Sequence, residues 1–153
     1  MVVTGKENDE TKKTWSEADV HCMIHGGDLA SIHGEDEMLA IADAIGGVSD
    51  VWIGLQKSSK YTNLRTFGNI ISFFALLNAL AYAVRIVIFV FLVTNNWHWC
   101  DNSIIDYVYW DKGEPNSHDD SQYCGIARYN GGRWDDVLCS EKYGFICKAK
   151  KRM

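Results

Sequence analysis

An α+β fold is what the 153-residue sequence predicts, from helix-like patterns in its first third and strand-like pieces in its last. Helices first and strands later suggest separate helical and sheet regions. The length fits one domain over 1–153, with enough apolar content to bury a core.

In chain order, Trp15, Ala18, Cys22 and Met23 recur at helical spacing, and Gly26 with Gly27 stops them, which predicts a first helix over 15–26. Ser31 is expected to cap the approach to a second helix over 35–45. Its Met38, Leu39, Ala42 and Ile45 form an apolar stripe that ends at Gly46 and Gly47. Residues 51–55 are a compact β-prone run, and from Trp97 onward short strand-like pieces alternate with Gly, Asn and Asp turns.

The net charge of -5 argues against a nucleic-acid partner, because such domains carry a basic face to neutralise phosphates. Three cysteines in the C-terminal run, with Cys22 far upstream, read as a disulfide framework, and the total of five leaves one thiol over. Residues 1–14 are polar and charged with no apolar signal-peptide core, which leaves a mature chain or a missing start.

The run 112–147 concentrates the chemistry. Glu114, Asn116, Asp135 and Asp136 offer carboxylate and amide oxygens, which suit a hard cation such as calcium. Pro115 stands between two of them, and a cis Glu114–Pro115 bond would aim Glu114 and Asn116 at one point.

The ordered pieces WSEADVHC, GGDLASI, VWIGL, NNWHW, WDKGEPN, RWDDVLC and YGFIC resemble the C-type lectin-like domain over 14–55 and 95–148. The resemblance implies a double-looped α+β domain with two helices and short antiparallel sheets. It also implies a Cys22–Cys147 pair and a Cys124–Cys139 pair, each stabilising by roughly 3 to 5 kcal/mol on the chain-entropy model. Cys100 has no partner in the family pattern; a buried or free thiol is the leading reading and an intermolecular bridge the other. Val2 and Val3 are read as the remnant of a first strand that pairs near Phe145 and Ile146.

By the same resemblance, calcium is held by a Glu and an Asn flanking Pro, a Glu two residues before the next Cys, and the last two residues of a Trp-Asn-Asp motif. Glu114, Asn116 and Asp136 match. Gln122 stands where the further Glu is expected and Asp135 where Asn is expected, so the set keeps three carboxylates and two amides. Adjacent sugar hydroxyls would meet Glu114 and Asn116 on one side and Gln122 and Asp135 on the other. An acid only accepts while an amide NH2 donates, so each hydroxyl still finds one donor and one acceptor, in swapped positions on the second side. Glu-Pro-Asn implies mannose-type sugars rather than galactose, and the swap weakens that preference.

No second calcium is expected: Tyr123 and Ser117 replace auxiliary acids, and Asp119 with Asp120 reads as a solvated turn. His118 lies in the same loop, and its protonation, or that of the ligands, predicts calcium release at mildly acidic pH.

Residues 60–94 fall where the family pattern runs almost directly from VWIGL to NNWHW. From 67 to 93 they are apolar except for Asn69, Ser72, Asn78 and Arg85, and as a helix this stretch would be about 40 Å long. That length could cross a bilayer, but a span over 67–93 would put Cys22 and Cys147 on opposite sides of it. Translation of a retained intron or another gene-model artefact is the leading reading of this atypical insert. An authentic insert that packs on the domain or oligomerises is a third reading, and so large an apolar patch in water would invite association.

Trp52, Trp99, Trp110 and Trp134 are read as core or buttress, with Trp97 and His98 less constrained. His21, His25 and His33 around Cys22 make a weak zinc pattern. No Ser-His-Asp or Cys-His arrangement and no phosphate loop is visible, and calcium-bound Glu114 and Asp136 would make poor acids or bases. The predicted function is therefore non-enzymatic, calcium-dependent binding of glycans or glycoproteins by a secreted or extracellular chain, with membrane association as the alternative setting. The other functions left open are a calcium-independent protein-binding module and a mis-spliced product that does not fold.

Overall fold

A computed structural model describes residues 12–47, 49–57, 97–117 and 123–149. The chain divides into two compact units, 1–56 with 98–153 and a second over 57–97; the described residues fall almost entirely in the first. Val2, Val3, Gln122, His118, Asp119, Asp120 and the apolar stretch 60–94 lie outside the described residues.

Helix α1, Trp15–Ile24, starts at a Thr-x-x-Glu capping box. The Thr14 hydroxyl accepts from the Glu17 amide at 3.4 Å, and the Thr14 amide donates to Glu17 Oε2 at 2.9 Å. Trp15, Ala18 and Cys22 are buried as the spacing predicts, but the helix ends one turn's fraction early, at Ile24 with His25 as its C-cap. Met23 departs from the predicted stripe: one position past Cys22, it has rotated about a quarter-turn onto the outer face and is exposed.

Helix α2, Glu35–Ile45, has the predicted bounds and ends at Gly46 in the left-handed region. Its buried stripe is Met38, Ile41 and Ile45, so Leu39 faces solvent and Ala42 is half-buried. Ser31 is not its cap. The N-cap is Gly34, which has no side chain to cap with, and Glu37 in the first turn reaches back to accept the His33 amide at 2.9 Å, fixing the approach to the helix.

Strand β1, Gly27–Leu29, pairs antiparallel with the last strand, β7, Cys147–Ala149. The main sheet runs β3–β2–β4–β5, from Trp97–Trp99, Val51–Lys57, Cys124–Ala127 and Trp134–Val137. Short β6, Gly144–Phe145, joins β2 in parallel, one departure from an all-antiparallel expectation. A register shift interrupts β2 against β4 between Trp52 and Gln56. This α+β arrangement of two helices and short sheets is the fold expected from the sequence.

Trp15, Ala18, Leu29, Trp52, Ile126 and Phe145 pack with three half-cystines into one core. The Trp15 indole donates to the Ile53 carbonyl at 2.9 Å and the Trp52 indole to the Lys13 carbonyl at 2.7 Å, so both rings are buried with their polar edge satisfied. Two disulfides join the expected pairs, Cys22–Cys147 from α1 to β7 and Cys124–Cys139 from β4 to the segment beyond β5. Cys100 is a half-buried free thiol with its Sγ 3.6 Å from the Leu29 carbonyl. Burial and the nearby Asp19, Asp101 and Asp28 push its ionisation well above the ordinary range, which disfavours the reactive thiolate.

Candidate functional site

The β4–β5 hairpin and the segment that leaves β3 build the site together. Register pairs Ile126 with Asp135 and Gly125 with Asp136, placing both acids in the middle of β5 at the edge of the main sheet. The incoming segment docks on that edge at Trp134. Its Tyr109 carbonyl accepts the Trp134 amide and its Asp111 amide donates to the Trp134 carbonyl, both at 2.8 Å. Trp134 is fully buried, with the rings of Trp99, Trp110 and Tyr107 meeting it edge to face at 5.3, 5.7 and 6.0 Å. Trp52 and Trp99 are fully buried as well and Trp110 is half-buried, in line with the core-or-buttress reading. Trp97 and His98 are both half-buried and each has an interaction partner.

From Trp110 the chain turns back along β5 and delivers Glu114 and Asn116. The Glu114–Pro115 peptide is cis, as expected. Asp136, with no exposed surface, accepts the Asn116 amide at 2.8 Å on Oδ1 and the Ser117 amide at 3.0 Å on Oδ2. Glu114 Oε2 also accepts the Asn116 amide, at 3.0 Å. The fully buried carboxylate thus receives two charge-assisted hydrogen bonds and fixes the loop to the sheet.

Glu114, Asp135 and Asp136 each bring a carboxylate oxygen within 4.8 Å of the others. Burial and the neighbouring Asp135 charge push the Glu114 carboxyl above its ordinary value, as expected where acids are crowded together. All three offer hard oxygen donors, two of them from buried side chains, so this set fits a divalent cation such as calcium. Asn116 sits beside them on the same loop. Gln122, expected as the fifth ligand, lies outside the described residues.

Arg128 is the site residue that sequence reasoning missed. Its Nε lies 3.1 Å from Asp135 Oδ2, its Nη2 also donates to that oxygen, and its Nη1 is 3.8 Å from Asp111 Oδ2. The Asp135 hydrogen bond chiefly raises the guanidinium's ionisation further. The expected balance of three acids and two amides therefore omitted a cation. The link becomes visible once the hairpin register is known: Arg128 is two residues beyond Ile126, the partner of Asp135, and so lies diagonally across the hairpin on the same face.

A second polar cluster sits at the start of α2. Ser31 Oγ is 3.1 Å from His33 Nε2, and His33 Nδ1 is 2.7 Å from Asp106 Oδ1. The structure thus aligns a Ser, a His and an Asp where the sequence, with His33 and Asp106 separated by 73 positions, displayed no such arrangement. The order is that of a hydrolytic triad, but its chemistry is not. Ser31 is buried and donates its hydroxyl proton to Asp101 Oδ2 at 2.6 Å, so the hydroxyl is neither reachable nor activated. The cluster ties the segment after β3 to the approach to α2. The zinc pattern dissolves in turn: Cys22 is in a disulfide, and His21 stacks on His25 at 4.3 Å.

Residues 11–69 and 88–149 match the family described as the Lectin C-type domain. C-type lectin BpLec from Bothrops pauloensis is 30% identical over 146 residues, covering 90% of this chain and 84% of its own. A calcium-independent type II antifreeze protein is similar in structure, with TM-score 0.63 and 28% identity over 91% of this chain and 81% of that one. The carbohydrate-recognition domain of cow CD23, solved in the presence of GlcNAc2Man3 oligosaccharide, matches with TM-score 0.60 and 25% identity over 89% of this chain and 79% of its own.

Proposed function

The chain belongs to the Lectin C-type domain family, and from that premise we propose that it is a calcium-dependent carbohydrate-binding module with a preference for mannose-type sugars. The observation that carries the reading is the convergence of Glu114, from the loop, with Asp135 and Asp136 of β5, their carboxylate oxygens within 4.8 Å of one another. Glu114, Asn116, Asp135 and Asp136, with Gln122, would hold the ion. Bound there, calcium would offer open coordination positions to a pair of sugar hydroxyls. Glu114 would accept from a hydroxyl and Asn116 would donate to it, the placement that Glu-Pro-Asn implies for mannose-type ligands. The two disulfides support an oxidising, extracellular setting, and glycans or glycoproteins are the partners.

A second reading has its own observation. Because Arg128 already neutralises Asp135, the loop has an internal cation, and likeness to a calcium-independent antifreeze protein fits a module that works without metal. Titration of calcium into the EDTA-treated protein separates the two readings. Saturable binding at millimolar or lower concentration, a raised melting temperature and calcium-dependent retention on mannose resin are expected. A melting curve unmoved by millimolar calcium would falsify the first reading and favour the second.

A further inference from the structure

We propose that Arg128 is a built-in counter-cation of the binding loop, holding the site in shape without metal and competing with calcium for Asp135. This inference rests on the calcium reading above and goes further by assigning a regulator to that site.

Three carboxylates within 4.8 Å, two of them on buried residues, repel one another strongly unless positive charge is near. Among the described residues, Arg128 is the cation placed against these acids, at Asp135. Its guanidinium is fixed from two sides, by two donors on Asp135 Oδ2 and a contact of 3.8 Å to Asp111 Oδ2. Asp111 in turn accepts the Lys112 amide at 2.8 Å and donates its own amide to Trp134. The guanidinium thus spans the two walls of the site, the β4–β5 hairpin and the segment that leads to Glu114 and Asn116. Its backbone is equally set, the Arg128 amide donating to the Arg133 carbonyl and the Arg128 carbonyl accepting from Gly132, both at 2.8 Å.

Two consequences follow from charge alone. Without metal, Arg128 relieves the repulsion that would otherwise splay the acids, so the loop keeps its form. With metal, a divalent ion must share Asp135 with a guanidinium a few ångströms away. Their repulsion corresponds to about tenfold in affinity even at the screening of bulk water. The position that the family pattern gives to a neutral Asn thus carries an Asp and Arg pair, which trades calcium affinity for order in the metal-free state.

The test compares the full chain with Arg128→Gln, Arg128→Lys, Asp135→Asn and the double variant Arg128→Gln/Asp135→Asn. In EDTA, Arg128→Gln and Asp135→Asn are each expected to lower the melting temperature, and the double variant to melt no lower than the weaker single one. Additive losses overturn the pairing. In calcium, calorimetry and terbium luminescence sensitised by tryptophan should show Arg128→Gln binding about tenfold more tightly than the parent, and Arg128→Lys, which keeps the charge, close to the parent. Equal or weaker binding by Arg128→Gln overturns the competition while leaving the calcium reading intact. A parent that binds no calcium alongside an Arg128→Gln variant that does refutes calcium dependence of the natural chain while upholding the competition of Arg128 with calcium for Asp135. Absence of binding in both overturns the competition together with the calcium reading.

Discussion

At the scale of single residues, Asp136 does the most to organise the loop. It has no exposed surface, and its two oxygens divide between the Asn116 and Ser117 amides. Replacing it by Asn keeps the shape but removes the charge and turns an NH2 group toward one of those amides. Asp136→Asn should therefore cost about 2–3 kcal/mol in calcium-free denaturation, the usual range for losing hydrogen bonds to a charged group. A loss under about 0.5 kcal/mol would show that the loop is held elsewhere. Asp136 could be singled out in the sequence because it stands at the last position of the Trp-Asn-Asp motif that the resemblance implies, with Asp135 departing from Asn at the position before it. Arg128 was not. Nothing in linear spacing connects it to Asp135 until the hairpin register places the two diagonally on one face.

At the scale of elements, the helices were legible and their fine packing was not. Both were placed by apolar periodicity and glycine stops, which are local signals. Which of Met38, Leu39, Ile41 and Ala42 turns inward depends on where α2 meets the sheet, and that is set by long-range contacts. One of these is the ion pair between Glu37 in the first turn of α2 and Lys148 in β7, at 2.8 Å. Lys148 also donates to the Ser31 carbonyl at 3.1 Å. Burial pushes the Glu37 carboxyl up, but the hydrogen bonds from Lys148 and the His33 amide outweigh it and leave the carboxyl below its ordinary 4.5. A depressed carboxyl contributes stability that is fully present above that ordinary value and is lost as pH falls through the lower, folded one. Glu37→Gln should thus lower stability by about 0.5–1 kcal/mol at neutral pH, the modest scale of a half-exposed pair. The gap between variant and parent should close in melts taken progressively below pH 4.5. A gap that persists unchanged into strong acid would mean that Glu37 acts through packing rather than charge.

At the scale of the whole molecule, the apolar stretch 60–94 stands between β2 and β3 in the chain, and the sheet supplies the means to test its part in folding. Strands β2 and β3 are neighbours in the main sheet, and the Cys100 amide donates to the Gly54 carbonyl at 2.8 Å. Three residues along each strand from that bond reach Lys57, where β2 ends, and Trp97, where β3 begins. Neighbouring strand ends can be closed by a turn of two to five residues, with Asn-Gly the favoured pair. The family match passes over 70–87 while taking in 60–69 and 88–94, and among the described residues the core cluster and the acid cluster lie on either side of the block. We therefore expect that replacing 60–94 by a short Asn-Gly turn leaves a chain that folds, pairs Cys22 with Cys147 and Cys124 with Cys139, and responds to calcium as the parent does. Removing an apolar run of that size should also reduce self-association, visible as a later, sharper peak on gel filtration. Peptide mapping of the disulfides gives the sharpest reading. Scrambled pairs, or loss of a cooperative melt in the shortened chain, would establish 60–94 as a working part of the fold and remove the retained-intron reading.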